Sequence, residues 1–203
     1  MTNQSGPGMN RTYSSGAAPS SSGGSSDERE RELLRHVARQ DRAAFKELYL
    51  IYHRRLARFL MRMTSRQDLI EEVINDTMWT VWQKSAEFRG DSLVSTWIVG
   101  ITYRRALKAL RRAAPLRALS VDFAELSEDT HLADETREWL DRALHELPLE
   151  QRMVLELSYL LGHSCEEIAE IMRCPVNTVK TRMFHAREKL RRSLPRLAGG
   201  PER

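Results

Sequence analysis

The chain has 203 residues, of which 41% are hydrophobic, and a formal net charge of +4. No apolar run approaches the roughly 20 residues that a membrane-spanning helix needs, so the composition excludes a helical membrane protein and suits one or two small domains. The N-terminal residues also lack the apolar core of a secretory signal, and we therefore expect a cytoplasmic protein with no membrane insertion of its own.

The N-terminal segment differs in composition from the rest of the chain. Residues 1–26 are half Ser and Gly. Such a segment cannot bury enough apolar surface to offset the entropy lost on ordering it. We therefore predict a disordered tail over residues 1–26.

From Asp27 onward, apolar residues recur at spacings of three and four, which predicts helices joined by short turns and no strands. Trp82 and Trp97 fall on these apolar faces, so a core position is favoured for both; base stacking by Trp97 is the alternative. We predict four helices in one domain over residues 27–112: about 28–39, one headed by Asp41, about 66–84, and about 96–112 after the loop "FRGDSLVS".

The next segment, residues 113–130, loses the periodicity and contains Pro115, so it is predicted to be a flexible linker. The charges around it form blocks. Six Lys or Arg in residues 104–117 precede seven Asp or Glu in residues 120–138, and six Lys or Arg return in residues 176–192. The pattern indicates two basic surfaces separated by an acidic linker, which suits a partner of negative charge.

A second helical domain is predicted over residues 131–197, followed by a short tail at 198–203. Its first helix ends at Pro148, and the next helix runs from there to Leu161, before Gly162. All predicted elements are helical, so the fold class is all-α, with two small helical domains.

The sequence after Gly162 predicts a helix-turn-helix. Ser164 and Glu167 form a capping box at the start of a short helix, Cys165 to Met172. Arg173 occupies the turn, where Gly, Asp or Asn accepts a left-handed backbone more easily. Pro175 then begins the last helix, whose inner side is predicted to carry Val176, Val179, Met183, Ala186 and Leu190.

The outer side of this last helix is the predicted DNA-contacting surface, because the second helix of a helix-turn-helix lies in the major groove. The alternative, a basic helix that is only solvated, does not explain the capping box and the turn. Predicted base contacts are Thr178, Lys180, Thr181, Phe184 and His185, and predicted phosphate contacts are Arg182, Arg187, Lys189, Arg191 and Arg192.

The two cysteines, Cys165 and Cys174, fit neither a disulfide framework nor a paired-cysteine zinc site. His163 lies close by in sequence, so two interpretations stay open: reduced thiols in a helical hairpin, or a thiol or metal sensor. No metal or cofactor is expected, and no pocket, nucleophile or catalytic group is evident.

Three blocks occur in order over roughly residues 30–195: "LIEEVINDTMWTVW", "FRGDSLVSTWIVGITYRRALKALRR" and "LPLEQRMVLELSYLLGHSCEEIAEIMRCPVNTVKTRMFHAREKL". Together they resemble the extracytoplasmic-function sigma factors of bacteria. The resemblance implies a non-catalytic initiation subunit that binds core RNA polymerase, recognises promoter DNA and helps to open it, under control of a separate anti-sigma factor. An autonomous helix-turn-helix regulator is the alternative, but it has no need of the block "STWIVGITYRRALKALRR".

The resemblance also assigns surfaces. The C-terminal domain would bind the minus-thirty-five element and the β flap, and the acidic linker would run near the polymerase cleft or serve as an ordinary linker. For the β′ clamp helices the implied residues are Asp68, Glu71, Glu72, Asn75 and Asp76, for which a solvated acidic face is the alternative. For the minus-ten element they are Arg89, Gly90, Asp91, Ser92, Leu93 and Ser95, with Arg104, Arg105, Lys108, Arg111 and Arg112 on the DNA backbone.

Overall fold

The computed structural model describes residues 22–113 and 134–198, and every regular element in these two ranges is helical. The predicted all-α fold is confirmed. None of the described helices is long and apolar enough to cross a lipid bilayer. The first range contains α1 (Ser22–Ala38), α2 (Arg42–Met61), α3 (Gln67–Lys84) and α4 (Val94–Ala113), with a single 3-10 turn at Ser85–Glu87.

These four helices surround one apolar core, as predicted. Asp41 caps α2, accepting hydrogen bonds from the backbone N–H groups of Ala43 at 2.8 Å and Ala44 at 3.2 Å. Behind the cap, the apolar stripe of α2 packs against α3 and α4. Fully buried side chains at the centre of the domain are Tyr52, Phe59, Leu60, Ile70, Ile74 and Ile98.

Two helix boundaries differ from the prediction. Helix α1 begins at Ser22, inside the segment predicted to be a disordered tail; residues 1–21 lie outside the described residues. Helix α4 begins at Val94, two residues before the predicted start, because the Asp27 carboxylate accepts a hydrogen bond from the Val94 backbone N–H at 3.1 Å. The same contact ties the N-terminal part of α1 to the start of α4.

The predicted linker, residues 113–130, lies outside the described residues except for Ala113, which ends α4. The second described range contains α5 (Asp134–His145), α6 (Leu149–Leu155), α7 (Cys165–Met172) and α8 (Val176–Ala198).

Pro148 caps α6, in agreement with the prediction that this proline starts a helix. The predicted regular helix to Leu161 is wrong in its last part, because residues Glu156–Leu160 form a π-helical turn. The wider turn keeps Leu157 fully buried and leaves Tyr159 and Leu160 exposed. Apolar spacing does not distinguish such a turn from α-helix, since only one extra residue is inserted. Gly162, with a φ of 73°, ends the segment.

The helix-turn-helix has the predicted boundaries. The Ser164 side chain accepts the Glu167 backbone N–H at 3.2 Å, and the Glu167 carboxylate accepts the Ser164 backbone N–H at 2.7 Å. Arg173 ends α7 in the left-handed conformation, with a φ of 51°. For a non-glycine residue this conformation costs roughly 1–2 kcal/mol, and a 3.0 Å bond from the Cys174 N–H to the Ala169 carbonyl helps to hold it.

Replacing Ser164 with alanine should lower the free energy of unfolding by about 1 kcal/mol, because it leaves the Glu167 amide without its capping oxygen. Urea denaturation of the full chain measures the change. Glu166→Gln is a matched control, since Glu166 is exposed in the same helical turn but lies outside the capping box. An equal loss in both variants would contradict the capping role.

Candidate nucleic-acid interface

Helix α8 presents two distinct faces. Its inner side buries Val179, Met183 and Ala186. Val176 and Leu190 are half-buried at the edges of that side. Of the predicted base contacts, Thr178 is half-buried and the remaining four point to solvent: Lys180, Thr181, Phe184 and His185. An aromatic ring, a cation and a hydroxyl therefore project together from the N-terminal half of α8, where they can meet base edges.

The two predicted phosphate contacts nearest the turn differ in their surroundings. Arg182 is held within the domain: its guanidinium pairs with Glu150 on α6 and lies 3.5 Å from the sulfur of Cys174. Arg187 is exposed and rests on Tyr159, donating to the Tyr159 hydroxyl at 2.7 Å with the ring centroid 5.7 Å away. Tyr159, which lies in the π-helical turn, was not predicted as part of this surface.

The loop of residues 89–95 leads from the 3-10 turn into the first two residues of α4, and its residues alternate between exposed and covered positions. Arg89, Asp91 and Leu93 are exposed, whereas Gly90 and Ser92 are half-buried and Val94 is buried. Ser95 is half-buried at the start of α4. The predicted minus-ten residues therefore form a contiguous surface at the N-terminus of α4.

The predicted backbone-binding cations of α4 are not equivalent. Lys108 is exposed. Arg105 is bound to Asp76 at 2.7 Å and to the Thr80 hydroxyl at 2.5 Å, both on α3. Arg104 is half-buried, and its pKa is lowered by burial and by the neighbouring charge of Arg173. Of these three, Lys108 lies at the surface, Arg105 is bound to α3, and Arg104 is half-buried.

The predicted acidic stripe lies along the outer face of α3, and each of its members has a partner within the chain. Exposed ion pairs of this kind contribute little stability, so a charged partner can replace them at small cost. Arg66 donates a hydrogen bond that lowers the pKa of Asp68. The pairs are Asp68–Arg66 at 2.6 Å, Glu71–His53 at 3.4 Å, Glu72–Arg112 at 3.0 Å, Asn75–Tyr49 at 3.2 Å and Asp76–Arg105 at 2.7 Å.

Trp79 lies on the same outer face, three and four residues beyond Asp76 and Asn75, and 58% of it is exposed. Trp79 was not predicted to contact a partner, although its spacing of three and four residues from the polar residues of α3 places it on their face of the helix. Trp82 and Trp97, by contrast, pack against the core, as predicted. Trp82 contacts Phe45 with ring centroids 5.1 Å apart, and Trp97 contacts Phe88 at 5.3 Å.

The two helical domains contact each other through α4 and α7. The buried hydroxyl of Thr96 donates to the Glu167 carboxylate at 3.1 Å, and Arg62 at the end of α2 pairs with Asp141 on α5 at 2.7 Å. Burial raises the pKa of Tyr103, on α4, to about 12, with Glu150 of the other domain adding to the shift. Helix α7 therefore covers part of α4 in this arrangement.

The residues that raised the sensor hypothesis lie around the start and end of α7. Cys165 and Cys174 are free and half-buried, and His163 is buried, 3.5 Å from the Glu167 carboxylate. Within the described ranges, no three His, Cys, Asp or Glu side chains form a group that could hold a metal ion. Burial lowers the pKa of His163 below the ordinary 6.5, and Glu167 opposes this shift.

This lowered pKa predicts a loss of stability in mild acid. The unfolded chain takes up a proton on His163 near pH 6.5, whereas the folded chain resists it, so the free energy of unfolding falls as the pH drops below 6.5. His163→Gln should remove this part of the pH dependence, which is at most about 1.4 kcal/mol per pH unit. Urea denaturation at about pH 7.5 and about pH 5.5 measures it; equal pH dependence in the two proteins would contradict the prediction.

Two family models match the chain. "Sigma-70 region 2" matches residues 48–115, which span most of α2, α3 and α4, and "Sigma-70, region 4" matches residues 137–190, which include the helix-turn-helix. Among solved structures, CnrH in complex with the cytosolic domain of CnrY has a TM-score of 0.63 at 22% identity, covering 82% of this chain and 97% of CnrH. RpoE in complex with the anti-sigma factor NepR from Bartonella quintana has a TM-score of 0.57 at 24% identity, covering 74% of this chain and 96% of RpoE. These two likenesses show the fold.

Curated relatives extend the match to most of the sequence. The RNA polymerase sigma-H factor of Pseudomonas aeruginosa is 30% identical over 182 residues, which are 82% of this chain and 94% of that protein. The ECF RNA polymerase sigma-E factor of Haemophilus influenzae is 33% identical over 173 residues, covering 78% of this chain and 91% of that protein. Both sigma regions are matched on one chain, and the relatives are aligned over nearly their whole length. This protein therefore belongs to the sigma-70 family, among its extracytoplasmic-function sigma factors.

Proposed function

We propose that this chain is an alternative sigma factor that binds core RNA polymerase in the cytoplasm, directs it to a specific set of promoters and takes part in melting them. The observation that carries the proposal is that one chain matching both sigma regions presents an exposed basic and aromatic face on α8 and an exposed acidic and aromatic face on α3. The protein has no catalysis of its own in this role, because the polymerase makes the transcript.

The C-terminal domain is proposed to bind the minus-thirty-five element as a duplex. Helix α8 would lie in the major groove with Lys180, Thr181 and Phe184 at base edges and Arg187 on the phosphate backbone, which fits their shared exposure. Lys180 can approach guanine acceptors and Phe184 can contact a thymine methyl group.

The N-terminal domain is proposed to bind the minus-ten element. The exposed side chains Arg89, Asp91 and Leu93 would contact an unstacked base, with Lys108 on the DNA backbone. Extruding a base costs a few kcal/mol. Contacts between the protein and the extruded base must offset this cost. Arg105 would become available to phosphate if its weak ion pair with Asp76 opens.

Core polymerase is proposed to bind the outer face of α3, with the β′ clamp helices as the contact and the β flap against the C-terminal domain. The acidic residues of that face would guide a basic partner, and Trp79 would supply the buried aromatic contact that dominates such interfaces. We further propose that an anti-sigma factor controls this chain, because RpoE, a protein with the same fold, is in complex with an anti-sigma factor.

Transcription with purified core RNA polymerase tests the proposal. Adding the chain to core polymerase and sequencing the RNA starts should reveal start sites that share two upstream elements, absent without the chain. A gel-shift experiment separates this function from that of an autonomous regulator. Because α7 covers part of α4, we expect weak promoter binding by the chain alone and strong binding with core polymerase. Specific binding that core polymerase does not change would overturn the proposal.

A further inference from the structure

Two side chains of α1 hold the loop of residues 89–95 through its backbone. Arg31 donates from one terminal nitrogen to the Ser92 carbonyl at 2.9 Å and from the other to the Gly90 carbonyl at 3.3 Å. Asp27, one turn earlier, accepts the Val94 backbone N–H at 3.1 Å and pairs with Arg31 at 2.5 Å. We call this pair, Asp27 and Arg31, the α1 clamp; it binds backbone groups of three alternate residues.

The positions that the clamp holds alternate with the positions that face outward. The residues whose backbone groups the clamp holds are 90, 92 and 94, and each of them is half-buried or buried. The residues between them, Arg89, Asp91 and Leu93, are the exposed ones. The clamp therefore orients the side chains that are proposed to contact the minus-ten element.

Gly90 fits this arrangement for two reasons. Its φ of 80° lies in the left-handed region, and a Cβ added there would lie 3.2 Å from a terminal nitrogen of Arg31. The guanidinium of Arg31 also lies over the Phe88 ring, 5.8 Å from its centroid, and Phe88 packs on Trp97. The clamp is thereby connected to the domain core.

The clamp is sheltered in comparison with other ion pairs of the same helix. The side chains of Arg31 and Asp27 are 32% and 16% exposed, whereas Arg35, which pairs with Glu32 one turn further along α1, is 65% exposed. Charge-assisted hydrogen bonds between partly buried groups hold their geometry better than exposed pairs do. Arg35 is therefore a matched control for Arg31.

We propose that Asp27 and Arg31 are positioning residues for minus-ten recognition, which hold the loop of residues 89–95 in its base-accepting conformation before DNA arrives. The proposal rests on the function proposed above. Capture of an unstacked base already carries the cost of unstacking, and a loop that also had to be ordered at that moment would add a second cost. A preformed loop avoids the second cost, so the clamp increases the discrimination between bases at the minus-ten element.

The test uses the full chain assembled with core RNA polymerase on a promoter found by start-site sequencing. Transcription is compared between this promoter and templates with single-base substitutions in either element. Arg31→Ala should lower discrimination at the minus-ten element by about tenfold or more, with discrimination at the minus-thirty-five element unchanged. Arg35→Ala should change neither ratio.

A purely structural role for Arg31 gives a different result. Loss of folded protein lowers transcription from all templates by the same factor and leaves both ratios unchanged, and that outcome would overturn the proposal. Arg31→Lys keeps the positive charge but lacks the two terminal guanidinium nitrogens that bind the two carbonyls. It should therefore reproduce the loss of minus-ten discrimination in a milder form. If the wild-type chain with core polymerase starts no promoter-specific transcripts, the proposed function itself fails, before any variant is compared.

Hydrogen exchange provides a second readout that needs no DNA. The backbone amides of residues 89–95 should exchange faster in Arg31→Ala than in the wild-type chain, while those of α2 and α3 keep their rates. Arg35→Ala should leave all of these rates as they are. Unchanged exchange in the loop of Arg31→Ala would show that the clamp does not order it and would overturn the proposal.

Discussion

Replacing Trp79 with alanine should weaken the binding of core RNA polymerase by about 2 kcal/mol or more, which is roughly 30-fold in Kd. Trp79 is 58% exposed on the outer face of α3, among the acidic residues proposed to meet the polymerase. Burial of an exposed tryptophan at an interface is among the largest single contributions to protein binding. Fluorescence anisotropy of the labelled full chain, titrated with core polymerase, measures the change.

Leu50→Ala is the control for this prediction. Leu50 is 62% exposed on α2, so its removal also deletes an exposed apolar side chain, but it lies near α1 residues such as Arg29 rather than on the α3 face. We expect its Kd for core polymerase to stay within about twofold of the wild-type value. Urea denaturation should show that both variants stay folded. Wild-type affinity in Trp79→Ala would show that the polymerase binds elsewhere.

Replacing Lys180 with alanine should cost about 1–3 kcal/mol at one or two positions of the minus-thirty-five element and relax the preference there. Lys180 is exposed in the first turns of α8, where a helix-turn-helix meets base edges. The measurement is the affinity of the holoenzyme for promoter variants substituted at each minus-thirty-five position.

Lys189→Ala is the control that distinguishes recognition of a base from contact with the phosphate backbone. Lys189 is exposed on the same helix but lies more than two turns further along, where phosphate contact is expected. Its loss should weaken binding to all promoter variants alike. It should also reduce the slope of log affinity against log salt concentration by about 1, which corresponds to one counterion fewer released on binding. If Lys180→Ala behaves in the same way, Lys180 contacts phosphate and the base assignment is wrong.

Local features were predictable because the interacting groups are close in sequence. Asp41 caps amides two and three residues ahead, and the Ser164–Glu167 capping box spans three residues. The left-handed turn at Arg173 follows from the short connection between two helices, although arginine is an unfavourable residue there. The inner side of α8 followed from the spacing of its apolar residues.

The features that were missed depend on contacts between distant parts of the chain. Arg31 and Ser92 are 61 residues apart, and Arg62 and Asp141 are 79 residues apart. Arg182, which stays a predicted phosphate contact, also pairs with Glu150 of α6, and the sequence did not indicate that pair. No periodicity in the sequence reports such pairs, because each residue has many possible partners of the right charge.

The sequence alone determined the all-helical fold, the helix-turn-helix and the two sigma regions, since helix periodicity, caps and ordered motifs are properties of neighbouring residues. Only the tertiary structure decided which of the cations are exposed, that Trp79 stands outside the core, and that Asp27 and Arg31 hold the loop of residues 89–95. Exposure and long-range hydrogen bonds arise when helices pack, and packing joins residues whose positions along the chain are unrelated.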